Sequence, residues 1–193
     1  MNFTVKNCRV SVNFYFFALI CAAAFFDRSG VMQWGLLAAL LHECGHLAAM
    51  LLIPGQSPGK ISITPFGMKI ENSPLSEFAR GNSVVLAAGS VVNLLSAAVT
   101  FGIQPDFAAV SLVLGMMNLL PVEGMDGGGL LRNIIEGFLP PSSAGRVMNY
   151  VTWTTLGAMF LLGLYVLIAT GYNISLLGAA AMLALARKRS TRP

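Results

Sequence analysis

Long apolar runs broken by short polar stretches make up most of this chain. A hydrocarbon core about 30 Å thick needs roughly 20 apolar residues per helix. Six segments approach that length: about Val10–Phe26, Val31–Ile53, Asn82–Ile103, Phe107–Leu120, Tyr150–Thr170 and Ile174–Ala186. The fourth and sixth are short, and the fourth ends at Pro121, whose missing N–H stops or bends a helix. No small-residue cleavage site follows the first run before Asp27-Arg28, so it reads as a retained span rather than a removed signal peptide. Between the second and third spans, Lys60–Asn72 alternates apolar and polar residues on both sides of Pro65-Phe66-Gly67, which predicts a short hairpin. Such a hairpin either closes the loop or offers an edge to which an extended peptide adds as a strand. The pattern therefore predicts an all-α membrane protein, a bundle of about six transmembrane helices with a short β-hairpin after the second. No Pro-rich or Ser/Gly-rich linker divides residues 1–193, so one domain is expected.

Composition agrees with a polytopic membrane protein. The chain is 55% hydrophobic and 10% charged, where soluble domains carry about 25% charged residues. Its net charge of +4 comes from basic residues scattered at segment ends, not from a patch interleaved with aromatics, so no nucleic-acid partner is expected. Cytoplasmic loops hold most Lys and Arg of a membrane protein. With the N-terminus inside, Lys6, Arg9, Lys60, Lys69, Arg80, Arg132, Arg146, Arg187, Lys188, Arg189 and Arg192 all fall inside, and Arg28 alone falls outside. The expectation is a multi-pass protein of the cell membrane with both termini in the cytoplasm. Cys8, Cys21 and Cys44 are odd in number and widely separated, so they imply no disulfide framework.

The candidate chemistry lies within the second apolar segment. The chain's two histidines, His42 and His46, flank Glu43 in the run Leu-His-Glu-Cys-Gly-His-Leu. On a helix, side chains at i and i+4 share a face, so two imidazoles can hold one metal while Glu43 acts on water beside them. Ionisable groups inside a membrane-length segment are costly enough to point to function. A catalytic zinc needs a third protein ligand and an open position for water. With no third histidine available, a carboxylate must supply it. Asp126 and Glu123 lie at a span end on the same side of the membrane as the histidines, whereas Asp106 is assigned outside and Glu71 and Glu77 fall in the hydrophilic loop. The pair sits about 12–18 Å from the cytoplasmic end of its span at helical rise.

In three separated places these residues resemble the site-2 protease family of intramembrane zinc metallopeptidases, peptidase family M50. His42-Glu43-Cys44-Gly45-His46 matches its first motif, and Asn118-Leu-Leu-Pro121-Val-Glu-Gly-Met-Asp126-Gly127-Gly128 matches its N-x-x-P-x-x-x-x-D-G. Ala87-Ala88-Gly89-Ser90-Val-Val-Asn93 resembles the G-x-x-x-N stretch of the intervening helix, with Ser90 where the commoner version has proline. The resemblance implies that Asp126, not Glu123, is the third zinc ligand, that Glu43 is the general base, and that Asn118 binds substrate. Taken by itself, Asn118 reads equally as an amide bonded between helices. Gly89 and Asn93 read as close-packing residues, and Gly124, Gly127, Gly128 and Gly129 as glycines that let the backbone turn and approach the metal.

The resemblance further implies Zn2+ as cofactor and hydrolysis of peptide bonds in or near transmembrane segments of membrane-tethered proteins, as in regulated intramembrane proteolysis. The partners would be a membrane-protein substrate and the lipid bilayer, with room for a regulatory membrane partner or a homo-oligomer. Only Arg187 to Pro193 follows the sixth span, so the chain reads as a minimal catalytic core, similar in plan to the bacterial branch that processes sporulation factors. The alternative is a non-proteolytic member that keeps the bundle as a membrane scaffold, and retention of His42, Glu43, His46 and Asp126 argues against it. A metal transporter would distribute its ligands over several spans, whereas here they gather at one site.

Overall fold

A computed structural model describes residues 2–5, 8–12, 25, 27, 30–53, 58–64, 67–72, 83–172 and 174–190. The chain divides into two compact units, Met1–Asn118 and Leu119–Pro193. In the first, strands β1 (Asn2–Val5), β2 (Cys8–Val12), β3 (Pro58–Thr64) and β4 (Gly67–Asn72) accompany helices α1 (Val31–Leu52), α2 (Ser83–Thr100) and α3 (Pro105–Asn118). The strands form one sheet in the order β1-β2-β3-β4. β1 and β2 are antiparallel with Phe3 opposite Val10, β2 and β3 parallel with Val10 opposite Ile61, and β3 and β4 antiparallel with Ile61 opposite Ile70. A parallel pair needs a long crossover connection, and the chain between Val12 and Pro58 contains α1.

The sheet corrects the start of the expected first span, because Val10–Val12 belongs to β2. Arg9-Val10-Ser11-Val12 alternates in polarity and carries two β-branched residues, which suits a pleated strand better than the start of a helix. Most of that expected span, residues 13–24 and 26, lies outside the described residues, as do Pro65 and Phe66.

α1 begins where the Asp27 carboxylate accepts hydrogen bonds from the N–H groups of Gly30, at 3.0 Å, and Met32, at 2.7 Å. It ends at Ile53, extended at φ −91° and ψ 118°, the conformation favoured before a proline such as Pro54. α3 starts with Pro105, whose absent N–H costs nothing at a first helical position, and has Asp106 in its first turn, where the helix dipole favours negative charge. Trp34 and Phe107 pack with ring centroids 5.7 Å apart. Glycines set the closest approaches. A Cβ at Gly45 would stand 2.9 Å from the Ala88 carbonyl oxygen and 2.9 Å from Val92 Cγ2, and one at Gly115 would stand 3.2 Å from Asn93 Cβ.

The second unit holds α4 (Asp126–Phe138), α5 (Pro141–Thr170) and α6 (Ser175–Ser190). α5 begins well before the expected Tyr150, with proline at its start, and stops at Gly171, whose φ of +79° is the left-handed conformation that ends many helices. α4 lies in what the apolar pattern left as a connecting stretch. It is amphipathic, with Leu130, Leu131, Ile134 and Ile135 set against Arg132, Asn133 and Glu136, and its exposed Arg132 Nε donates to Glu136 Oε1 at 2.9 Å.

α1, α2 and α5, with 22, 18 and 30 residues, are long and apolar enough to cross a membrane. They account for three of the six expected spans. α3, at 14 residues, rises only about 21 Å. Exposure is distributed as lipid requires: Leu40, Leu51, Val91, Leu95, Val99, Leu161 and Ile168 are exposed, while His42, His46, Ser90, Asn93, Ser111 and Thr152 are buried.

Gly45→Ala drives a methyl group into the Ala88 carbonyl, which is backbone and cannot rotate away. The expected outcome is a loss of about 1–3 kcal/mol of stability, read as a lower thermal midpoint in detergent. An unchanged midpoint would mean that α1 and α2 can separate freely at this point.

Candidate metal centre

α1 carries His42, Glu43 and His46. Both imidazoles are buried, at 5% and 9% exposure, and their helical spacing brings the two Nε2 atoms to 3.1 Å. The rings stand edge to face, with centroids 4.7 Å apart and an interplanar angle of 88°. Glu43 is half-buried on the same helix, and Cys44 is exposed, away from both histidines.

The outer nitrogens are held by α2. His46 Nδ1 lies 2.7 Å from the Val85 carbonyl oxygen. A carbonyl can only accept, so Nδ1 carries the proton and His46 Nε2 presents its lone pair inward. His42 Nδ1 lies 3.4 Å from the Asn93 amide nitrogen. Between these contacts Gly89 forms the floor of the site: a Cβ there would fall on His46 Nε2 and within 2.9 Å of His42 Cε1. Gly45 and Gly89 thus let two helices approach until the imidazoles lie on the backbone of α2.

This donor set suits zinc. Two nitrogens bound at 2.0–2.1 Å to a tetrahedral ion stand about 3.3–3.4 Å apart, close to the 3.1 Å between the Nε2 atoms. Ligating histidines usually donate their other N–H to a carbonyl or carboxylate, which fixes the tautomer and the ring. The Val85 carbonyl does this for His46.

In the second unit, the segment before α4 makes a tight turn in which Met125 N–H donates to the Val122 carbonyl at 3.0 Å. Gly124, third in the turn, has φ +96°, a conformation that strains any other residue. Thr152 Oγ1 of α5 accepts from Glu123 N–H at 3.1 Å. Cβ atoms at Gly127 and Gly128 would fall on the carbonyls of Leu119 and Val122, so both positions require glycine. Asp126 is thereby presented, half-buried, as the first residue of α4, where the helix dipole favours its carboxylate. Asn118, at the end of α3 in the first unit, donates from Nδ2 to the Leu114 carbonyl of its own helix at 3.2 Å, a local bond that the sequence did not suggest.

Sequence reasoning put His42, Glu43 and His46 on one helix, where the structure has them, and missed what holds the two imidazoles. Gly89 and Asn93 read as packing residues, yet their packing partners are the imidazoles themselves. The available signal was their spacing of four on an apolar helix, which puts a small residue and an amide on one face.

Residues 105–164 match the family model of peptidase family M50, a stretch that includes Asn118 and Asp126. Comparison with curated proteins gives no match. Among solved structures, the site-2 protease from Methanocaldococcus jannaschii has a similar fold, with a TM-score of 0.68 and 18% identity over 100% of this chain and 95% of that one. The chain thus resembles peptidase family M50 over this stretch and shares the fold of the site-2 protease.

Gly89→Ala tests the floor of the site. The added methyl displaces His46 Nε2 while the far end of that side chain absorbs the shift, so folding is expected to survive. Zinc affinity, measured by chelator competition, is expected to fall by at least about tenfold, the scale of a disturbed ligand environment. Wild-type affinity in this variant would show that the ring does not need to rest on Gly89.

Proposed function

We propose that the protein, as one intramembrane protease domain over residues 1–193, is a zinc endopeptidase that cuts membrane-tethered proteins within or beside a transmembrane segment. The carrying observation is the pair of buried imidazoles whose Nε2 atoms turn toward each other at 3.1 Å, with Glu43 on the same helix. In this reading His42, His46 and Asp126 hold the ion. They are of the ligand types that a catalytic zinc takes, two histidines and one carboxylate. Asp126 is preferred to Glu123 because it completes the second family motif and opens α4.

Zinc held there would acidify a water and polarise the scissile carbonyl. Glu43 takes the proton of the attacking water and returns it to the leaving amine, so the carboxylate ends each turnover as it began. A transmembrane helix hides its carbonyls in its own hydrogen bonds, so the substrate must unwind locally before attack. Asn118 keeps a second amide N–H beyond the one given to Leu114, and we assign it to an unwound substrate carbonyl. Among the described residues β4 is an edge of the sheet, and it suits an extended strand of the substrate outside the membrane. The protein works in the cell membrane as a multi-pass protein, with both termini and the Lys60–Arg80 stretch in the cytoplasm and the substrate's cytoplasmic part released there.

Two variants separate binding from chemistry. Wild type is expected to carry about one zinc per chain, and Asp126→Ala to lose most of it by elemental analysis. Glu43→Gln is expected to keep zinc and to slow cleavage of a single-span substrate by about 10²–10⁴-fold. Full zinc in Asp126→Ala would move the third ligand elsewhere, and near-normal turnover by zinc-replete Glu43→Gln would remove Glu43 as the base.

Orientation is read from thiol accessibility in a cysteine-free background. Single cysteines at Ser57, Ser76 and Ser190 are expected to resist a membrane-impermeant reagent in intact cells and to react after permeabilisation, while one at Ser29 labels from outside. Labelling at Ser57 and Ser76 in intact cells would invert the topology and abolish cytoplasmic release.

A further inference from the structure

α5 is longer than a bilayer requires. Its 30 residues rise about 45 Å, whereas a hydrocarbon core of about 30 Å needs roughly 20. Aromatic side chains mark which part lies in lipid, since Trp and Tyr collect at the two interfaces between membrane and water. Tyr150 and Trp153 are exposed toward one end, and Tyr172, also exposed, follows the other. From Tyr150 to the cap at Gly171 the helix rises about 32 Å, one hydrocarbon thickness. The polar start of the helix, Pro141 to Asn149, therefore projects beyond the core at the Tyr150 end.

Arg146 is exposed on this projecting part, one turn outside Tyr150. Its Nη2 donates to Ser143 Oγ of its own helix at 3.3 Å, and the first turn of α5 contains no acid. Arg132, by contrast, is bonded to Glu136 at 2.9 Å. Among the described residues no carboxylate pairs with Arg146, so its guanidinium has donors to spare.

Steps of three and four residues lead from Arg146 through Tyr150, Trp153, Gly157, Phe160 and Leu164, which places all six on one face of the helix. Every one is exposed. The order down this face is a cation, two amphipathic aromatics, a gap and then hydrocarbon, the order of a phospholipid from headgroup to chain. Gly157 is the gap. A Cβ there would meet nothing within 4 Å, so no close packing calls for glycine, although glycine weakens a helix.

We infer that this face of α5 binds an anionic phospholipid, with the phosphate on Arg146 and the upper part of a chain along Trp153 and Gly157. Arginine meets phosphate oxygens through paired N–H groups, and the Tyr150 hydroxyl stands one turn below to bond the ester region. Charge complementarity selects an anionic lipid, because a zwitterionic headgroup already carries a cation beside its phosphate. Under the topology proposed above, Arg146 meets the cytoplasmic leaflet, the one with negative surface potential. The inference requires α5 to span a bilayer and is independent of the metal centre.

The test uses the full chain in vesicles of phosphatidylcholine and phosphatidylglycerol, with Trp34→Phe leaving Trp153 as the reporting tryptophan. One lipid or the other carries bromine in the upper part of its chains, and quenching of Trp153 fluorescence reads which of them lies against it. Phosphatidylglycerol is expected to be preferred about fivefold, the scale of one basic residue's attraction to anionic lipid. Arg146→Gln is expected to abolish the preference and Arg146→Lys to keep most of it, while Arg132→Gln leaves it unchanged. Equal quenching by the two lipids with Arg146 in place, or a preference that survives Arg146→Gln, would overturn the assignment. So would a Trp153 that neither lipid quenches, since protein, such as a second copy of the chain, would then cover this face. Should Arg146→Gln fail to fold, the ratio with Arg146 in place and the Lys variant still decide it. Zinc content and cleavage do not enter the readout, so a failure of the protease reading leaves this result standing.

Discussion

The approach of α1 to α2 at Gly45 and Gly89 is the contact on which the rest of the first unit depends. In a bilayer, apolar side chains gain little by leaving lipid for one another, so helices associate through close van der Waals packing and hydrogen bonds. Small residues permit both. Gly45 admits the Ala88 carbonyl and Gly89 admits His46 Nε2, so one crossing serves packing and chemistry together. Once the backbones are this close, the Val85 carbonyl and the Asn93 amide come within reach of the two rings.

Polarity is arranged inward in both units. Ser90, Asn93 and Ser111 are fully buried in the first and Thr152 in the second, while leucines, valines and isoleucines cover the exposed faces. The buried groups have local tasks: Asn93 meets His42, and Thr152 anchors the turn that precedes α4. That turn is exacting. Gly124 supplies a left-handed backbone, and Gly127 and Gly128 make room for two carbonyls, so the segment leading into Asp126 has little freedom to deform.

How far this was legible varies by residue. His42, Glu43 and His46 were plain because i, i+4 spacing on an apolar helix has one geometric outcome, and α1 and α2 followed from apolar runs of spanning length. α4 was missed because its glycine-rich start reads as a loop until the carbonyls of Leu119 and Val122 are seen to occupy the space that side chains would need. Val10–Val12 was absorbed into an apolar run, since a short alternation at the edge of such a run looks like its continuation, and only pairing with β1 and β3 marks it as a strand. The roles of Gly89 and Asn93 were hidden for a different reason: a sequence gives the face of a helix but not the atoms of the neighbour that meets it.

The two imidazoles are held by different kinds of partner. His46 bonds to a main-chain carbonyl, which every amino acid at position 85 would provide provided the helix persists. His42 meets a side chain, which a single codon change replaces. Inherited variation can therefore reach one imidazole's surroundings and leaves the other's almost untouched. Natural adjustment of how these rings are held would be recorded at position 93, where sequences can drift, rather than at position 85, where they have little to vary.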